Sequence, residues 1–249
     1  VSPLAIVAVI VAGFLAGTIN AVVGSGSLIT FPALLALGFP PVVANVSNTV
    51  GLSVGNVGAV IGYRRELRGQ VHRLLWLAIP ALTGAVVGAF LLLVLPAAVF
   101  RAAVPILILF AIGLVIAQPS LSKRFHAQEP SRGTRAILPV GVFLTAVYGG
   151  YFGAAQGVIL ISILAVVLTD PLQRVNALKN ALVMLVNATA AILFLFIAHV
   201  SWEPALLLAG SSLVGGQVGA SVGRRLSPYV LRGFIVLAGL AAVVKLLFF

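Results

Sequence analysis

Recurrent apolar runs, parted by connectors too short to fold alone, constrain this chain more than any other feature. Eight of them, residues 3–23, 42–63, 74–95, 99–117, 136–154, 175–198, 204–223 and 229–248, approach the length needed to cross a membrane. About 20 residues cover ~30 Å of hydrocarbon at ~1.5 Å per helical residue. Two more, 27–38 and 157–169, fall short of that length. Only 8% of the residues are charged and the mean hydropathy is +1.23. Soluble globular chains carry about 25% charged residues, so this one cannot cover a water-facing surface. The expected fold class is an all-α integral membrane protein with the lipid bilayer as its solvent. A soluble enzyme, a nucleic-acid partner and a disordered tail are excluded.

The net charge of +11 is gathered in the connectors, the pattern that orients helices in a membrane. The absence of cysteine removes thiolate metal sites, haem attachment and disulfides. His72, His126 and His199 are scattered over different connectors, and no phosphate loop is present, so no metal or other cofactor is expected. The first run follows no basic residue and is followed by no clear cleavage site, so no cleaved signal is expected.

The order long, short, long, long, long occurs twice, either side of the polar stretch Gln118 to Arg135. A constant offset of 131, without a gap, places Gly26 on Gly157, Pro40 on Pro171, Asn45 on Asn176 and Asn56 on Asn187. Two rare asparagines eleven apart in one register argue for an internal duplication. Charge then orients the copies. The connector after the third run holds Arg64, Arg65, Arg68 and Arg73, whereas its counterpart, His199 to Glu203, has no Lys or Arg; the next connector reverses the bias with Arg224, Arg225 and Arg232. If each short run returns the chain, every Lys and Arg except Arg101 and Lys245 falls on one side. The expectation is two inverted repeats of about five hydrophobic segments each, the second segment of each short or re-entrant. Residues 1–117 form repeat 1, 118–135 a cytoplasmic linker and 136–249 repeat 2, together one transport domain. Both termini are placed outside. Inverted repeats are a transporter architecture, with the site near the midplane where interrupted helices meet.

Gly13-Phe-Leu-Ala-Gly-Thr-Ile-Asn-Ala-Val-Val-Gly-Ser-Gly-Ser-Leu-Ile-Thr-Phe-Pro32, then Leu-Gly-Phe-Pro-Pro41 and Ala44-Asn-Val-Ser-Asn-Thr49, resemble the opening of the TauE/SafE sulfite exporter family. Arg174-Val-Asn-Ala-Leu-Lys-Asn180 and Val200-Ser-Trp202 extend the likeness through the second half. The resemblance implies a bacterial inner-membrane permease, not an enzyme, for a small anion such as sulfite or an organosulfonate, often exported. One departure bears on selectivity. Gly24-Ser-Gly-Ser27 stands where the family tends to a denser glycine run, and the second half has Gly153-Ala-Ala-Gln-Gly157.

The residues themselves point to the same chemistry. Gly24, Ser25, Gly26 and Ser27 interrupt an apolar run, and non-helical backbone at membrane depth needs protein or a wet cavity around it. Ser27 is placed to cap the short segment, whose N-terminal N–H groups and dipole would face an anion. The alternative is glycine packing between helices. Asn45, Ser47, Asn48, Thr49 and Asn56, with Asn176, Asn180 and Asn187, put donors inside spanning helices, as an oxyanion requires; interhelical hydrogen bonding is the alternative. Lys179 costs about 2.5–3.5 kcal/mol at a helix centre. It is therefore read as a partner for the substrate anion, or else as a side chain reaching up to headgroups. Tyr151, Gln156 and Gly157 complete the candidate site. No Asp or Glu lies inside an apolar run, which disfavours a cation pore. A permease for another small organic anion or for a cation, and an accessory subunit, are the rival readings. A coupling ion, proton or sodium, and homo-oligomers are left open.

Overall fold

The computed structural model describes residues 2–125, 132–222, 233, 235–241 and 243–244; side chains from 118 to 136 lie outside the described set. Among the described residues all regular secondary structure is helix. The helices are α1 Pro3–Val22, α2 Ser27–Ala36, α3 Pro41–Gly62, α4 Val71–Val94, α5 Ala97–Phe125, α6 Arg132–Tyr151, α7 Gln156–Val167, α8 Leu172–Ile197 and α9 Trp202–Val222. Residues 235–241 are also helical, inside the tenth apolar run, but Arg224, Arg225, Arg232 and Lys245 lie outside the described residues. Helix α5 continues through residue 125 and α6 begins at Arg132, so the polar stretch after residue 117 is largely helix extension.

Burial is distributed as in a membrane protein. Large apolar side chains such as Leu4, Ile79, Ile106 and Phe196 face outward, while Asn45, Asn48, Asn176, Asn180 and Lys179 are buried. Four helices, α1, α4, α8 and residues 97–117 of α5, are long and apolar enough to cross a membrane. Pro3 and Pro41 open α1 and α3, where the missing N–H has no intrahelical partner, whereas Pro32, Pro80 and Pro139 lie inside helices.

Glycine contacts reveal helix directions. Gly51, Gly55, Gly58 and Gly62 of α3 abut Leu208, Ser212, Leu213 and Ala220 of α9 in ascending order, and Gly13 and Gly17 of α1 abut α9 in the same sense. Gly84 and Gly88 of α4 likewise climb α6, against Phe143 and Val147. Small residues let these backbones approach closely. Helices α3 and α8 are antiparallel. The Ser201 N–H, beyond the end of α8, donates to Ser47 Oγ near the start of α3 (2.8 Å), and Gln70, beyond the end of α3, donates to the carbonyl of Arg174 at the start of α8 (3.0 Å). Thus α1, α3 and α9 run one way and α4, α6 and α8 the other. Helices α1, α3 and α4 therefore run opposite to α6, α8 and α9 respectively, which hold the same places in chain order after the polar stretch.

The short helices fold back. Ten residues in α2 cover about 15 Å, half of the hydrocarbon core, and the α2 start packs on α1 at Ala16. Helices α1 and α2 form one hairpin; α6 and α7 form another.

Candidate substrate site at the hairpin junction

The two hairpins meet tip to tip. The Gly157 N–H donates to the Gly24 carbonyl at 3.0 Å, and a Cβ on either glycine would lie 2.5 Å from the other's Cα. Gly24 has φ +89° and Gly153 +76°, conformations that only glycine adopts without strain. These two residues sit 129 apart, as do the ends of α1 and α6, whereas Pro40 and Pro171, the residues preceding α3 and α8, are 131 apart. The ungapped offset of 131 is therefore corrected. Helices α2 and α7 start 129 apart and end 131 apart, so α7 carries its two extra residues beyond its start, and Gly26 corresponds to Ala155 (φ +57°) rather than to Gly157.

Ser27 does not cap α2. Gly26 occupies the cap position without a side-chain hydrogen bond, and Ser27 is the first helical residue. The hydroxyl of Ser25, in the turn itself, is buried with no partner.

Lys179 is fully buried rather than reaching up to headgroups. Its Nζ donates to the carbonyls of Asn20 (3.0 Å) and Ala21 (3.5 Å), and the amides of Asn176 (3.0 Å) and Asn180 (3.1 Å) also donate to Ala21. Asn20 and Ala21 lie in the last turn of α1, whose carbonyls have no intrahelical partner, and a cation is favoured at that negative end of the dipole. On the other hairpin Asn45 donates to the carbonyl of Tyr151, the last residue of α6 (3.0 Å). In each half the long helix after the hairpin thus caps the other half's broken helix.

Among the described residues no carboxylate is bonded to the Lys179 ammonium. Asp170, the acid nearest in sequence, is held by Arg73 (2.7 Å) and Arg174 (3.4 Å). Partial burial raises the Asp170 pKa, but hydrogen bonds and charge from the two arginines outweigh it, and the carboxyl stays below its ordinary value.

Several buried polar atoms around the junction have no partner: Ser25 Oγ, both ends of the Gln156 amide, Asn45 Oδ1, Asn56 Nδ2 and Asn176 Oδ1. Buried polar groups are normally paired, so such a concentration marks a place for a ligand or water. Asn56 is tied to the first tip through Asn20, which donates to Asn56 Oδ1 (2.7 Å) and accepts from the Gly26 N–H (3.4 Å). Asn48 accepts from the Thr30 hydroxyl. Asn20 and Thr30 are buried positions at the junction that the sequence reading passed over; their signal was a lone amide and a lone hydroxyl inside apolar runs.

Other expected residues are placed elsewhere or act differently. Ser47 holds the connector at Ser201. Tyr151 takes part through its carbonyl, while its ring lies edge-on to Phe100 at 5.6 Å. Thr49 and Asn187 are buried, but among the described residues no hydrogen bond joins either to the junction. Phe152, in the second tip, packs edge-on against Phe31 of α2 at 5.2 Å, so rings seal one flank of the polar cluster.

A helical, lipid-facing bundle that closes around unpaired donors and a lone buried cation defines a multi-pass membrane permease. The chain belongs to the TauE/SafE family: the family model described as Sulfite exporter TauE/SafE matches residues 9–246. It is 28% identical over 239 residues to "Probable membrane transporter protein ORF9" of Sinorhizobium sp, covering 95% of this chain and 90% of that one. A "Probable membrane transporter protein" of Haemophilus influenzae is 27% identical over 237 residues (95% and 92%), and "Probable membrane transporter protein YfcA" of Escherichia coli K12 is 28% identical over 254 (100% and 91%). No solved structure matches the chain. The protein is a membrane transporter.

Proposed function

We propose that this transporter exports a small sulfur-containing anion, such as sulfite or an organosulfonate, by exposing the hairpin junction alternately to either side. The observation that carries this is Lys179, a fully buried side chain in a spanning helix with its nearest acid in sequence already held by two arginines. A buried positive charge without a counter-charge is costly, and a bound anion removes the cost. The Ser25 hydroxyl and the amides of Gln156 and Asn56 supply donors not otherwise used. The starts of α2 and α7 bring positive dipole ends to the same junction.

The opposed helix directions suit a mechanism in which two like halves rock about a fixed midplane site. The end carrying Arg64, Arg65, Arg68, Arg73 and Arg174 is the cytoplasmic one on this reading, in a bacterial inner membrane. The family description supports sulfite and export; the names of the relatives support transport alone.

The test is thermal melting of the purified chain in detergent against sulfite, thiosulfate, small sulfonates, sulfate, acetate and chloride as sodium salts. A ligand at a hundred times Kd adds about 2.7 kcal/mol of stability. Selective stabilisation by one sulfur oxyanion is expected. An identical melting curve in all six salts would remove the anion reading.

A further inference from the structure

The two hairpin tips are built alike but charged unlike. At the first, the last-turn carbonyls of Asn20 and Ala21 face the Lys179 ammonium. Their counterparts 129 residues on are Gly149 and Gly150, in the last turn of α6. The counterpart of Lys179, 131 residues back on α3, is Asn48, a neutral amide whose oxygen already accepts from Thr30. Among the described residues no side chain donates to the Gly149 or Gly150 carbonyl. The second tip therefore has the negative helix end and lacks the cation.

Two further oxygens bear on the same turn. Asn45 is fixed there by its bond to the Tyr151 carbonyl, and its own Oδ1 is buried without a partner. The Gln156 amide packs so tightly on Gly149 that a Cβ there would fall 2.3 Å from Oε1, and that oxygen is also buried and unpartnered. Carbonyl and amide oxygens at a helix C-terminus are ligands for a small hard cation. They do not hold a proton at neutral pH.

We propose that a sodium ion binds over the last turn of α6, in the place that the Lys179 ammonium takes on α1, through the Gly149 and Gly150 carbonyls and the Asn45 and Gln156 amide oxygens. One half thus carries its cationic group on a side chain and the other takes its cation from solution. The exchangeable cation would make anion binding at the junction depend on sodium. This role rests on the junction's being the transport site, but sodium binding itself is tested without any carried anion, so either reading can fail alone.

The experiment compares melting of the purified chain in sodium, potassium and choline chloride at one chloride concentration. The wild type is expected to melt several degrees higher in sodium than in the other two salts. Asn48→Lys places an ammonium where the ion would sit, so it is expected to melt alike in all three. Gln156→Leu, which removes one ligand without adding charge, is expected to shift the sodium concentration for half-maximal stabilisation upward at least tenfold. Equal melting of the wild type in the three salts would overturn the proposal, and so would a sodium effect undiminished in a folded Gln156→Leu protein.

Discussion

Lys179 shows how a single residue is set by its surroundings. A lysine amid apolar helix must find oxygen, and here it finds the carbonyls that the break in α1 leaves free. Its position was legible from sequence because a charge inside a spanning run is rare. Its partners were not, since main-chain carbonyls carry no residue signature. Replacement by methionine keeps the volume and removes the charge, while Asn176 and Asn180 still reach the Ala21 carbonyl. Charge-assisted hydrogen bonds contribute about 1.5–3 kcal/mol. Lys179→Met is therefore expected to weaken anion affinity by roughly 10- to 100-fold, measured by titrating the stabilising anion against melting temperature. Asn56→Leu, removing one unpaired donor, is expected to weaken it by roughly tenfold or less. Affinity unchanged in Lys179→Met would take the lysine out of binding.

Among the elements, the hairpins decide the architecture. Apolar run lengths located the ends of the described helices within a few residues, except that α5 continues past residue 117 to Phe125; the short pair stood out because about 15 Å cannot cross about 30 Å. The way the tips meet was hidden. A two-residue difference between the hairpins moved Gly26 off Gly157 and left Gly24 as the true neighbour. Sliding one half over the other could not show it, because glycines are common enough on both sides to match in either register. Gly24→Ala meets both a positive φ and a Cβ 2.5 Å from Gly157. Strain of about 1–3 kcal/mol adds to overpacking of about 1–3 kcal/mol, so a large drop in melting temperature is expected. Gly113→Ala, with open space around it, is the control and is expected to melt as the wild type does.

The ion pairs from Arg73 of α4 and Arg174 of α8 to Asp170 join the two helix starts at the basic end. Because the folded Asp170 pKa is depressed, its contribution is present above the unfolded value of about 3.9. It is lost as pH falls below that value and through the folded pKa. Asp170→Asn should melt lower than wild type at pH 7, and the gap should narrow as pH is lowered past about 4. A gap independent of pH would show that the carboxylate charge is not what holds the clasp.

For the whole molecule, α1, α3 and α9 run opposite to α4, α6 and α8 around one polar junction, as two inverted repeats would, and exposed apolar side chains surround them. The basic connectors allowed this arrangement to be expected from sequence, since the sign of the bias reverses between His199–Glu203 and Arg64–Arg73. The same argument predicts the orientation in the cell. A cysteine at Ser201, whose backbone bond to Ser47 survives the change, should react with an impermeant thiol reagent in intact cells. Labelling only after permeabilisation would reverse the assignment of sides.

Transport by the purified chain tests the central claim most directly. Proteoliposomes loaded with unlabelled sulfite and diluted into trace radiolabelled sulfite should accumulate label transiently by exchange. Wild type should do so, excess of the stabilising anion should compete, and Lys179→Met should lose most of the signal at low substrate. Vesicles carrying wild-type protein that take up label no faster than empty vesicles, for sulfite and for each sulfonate tried, would contradict the account.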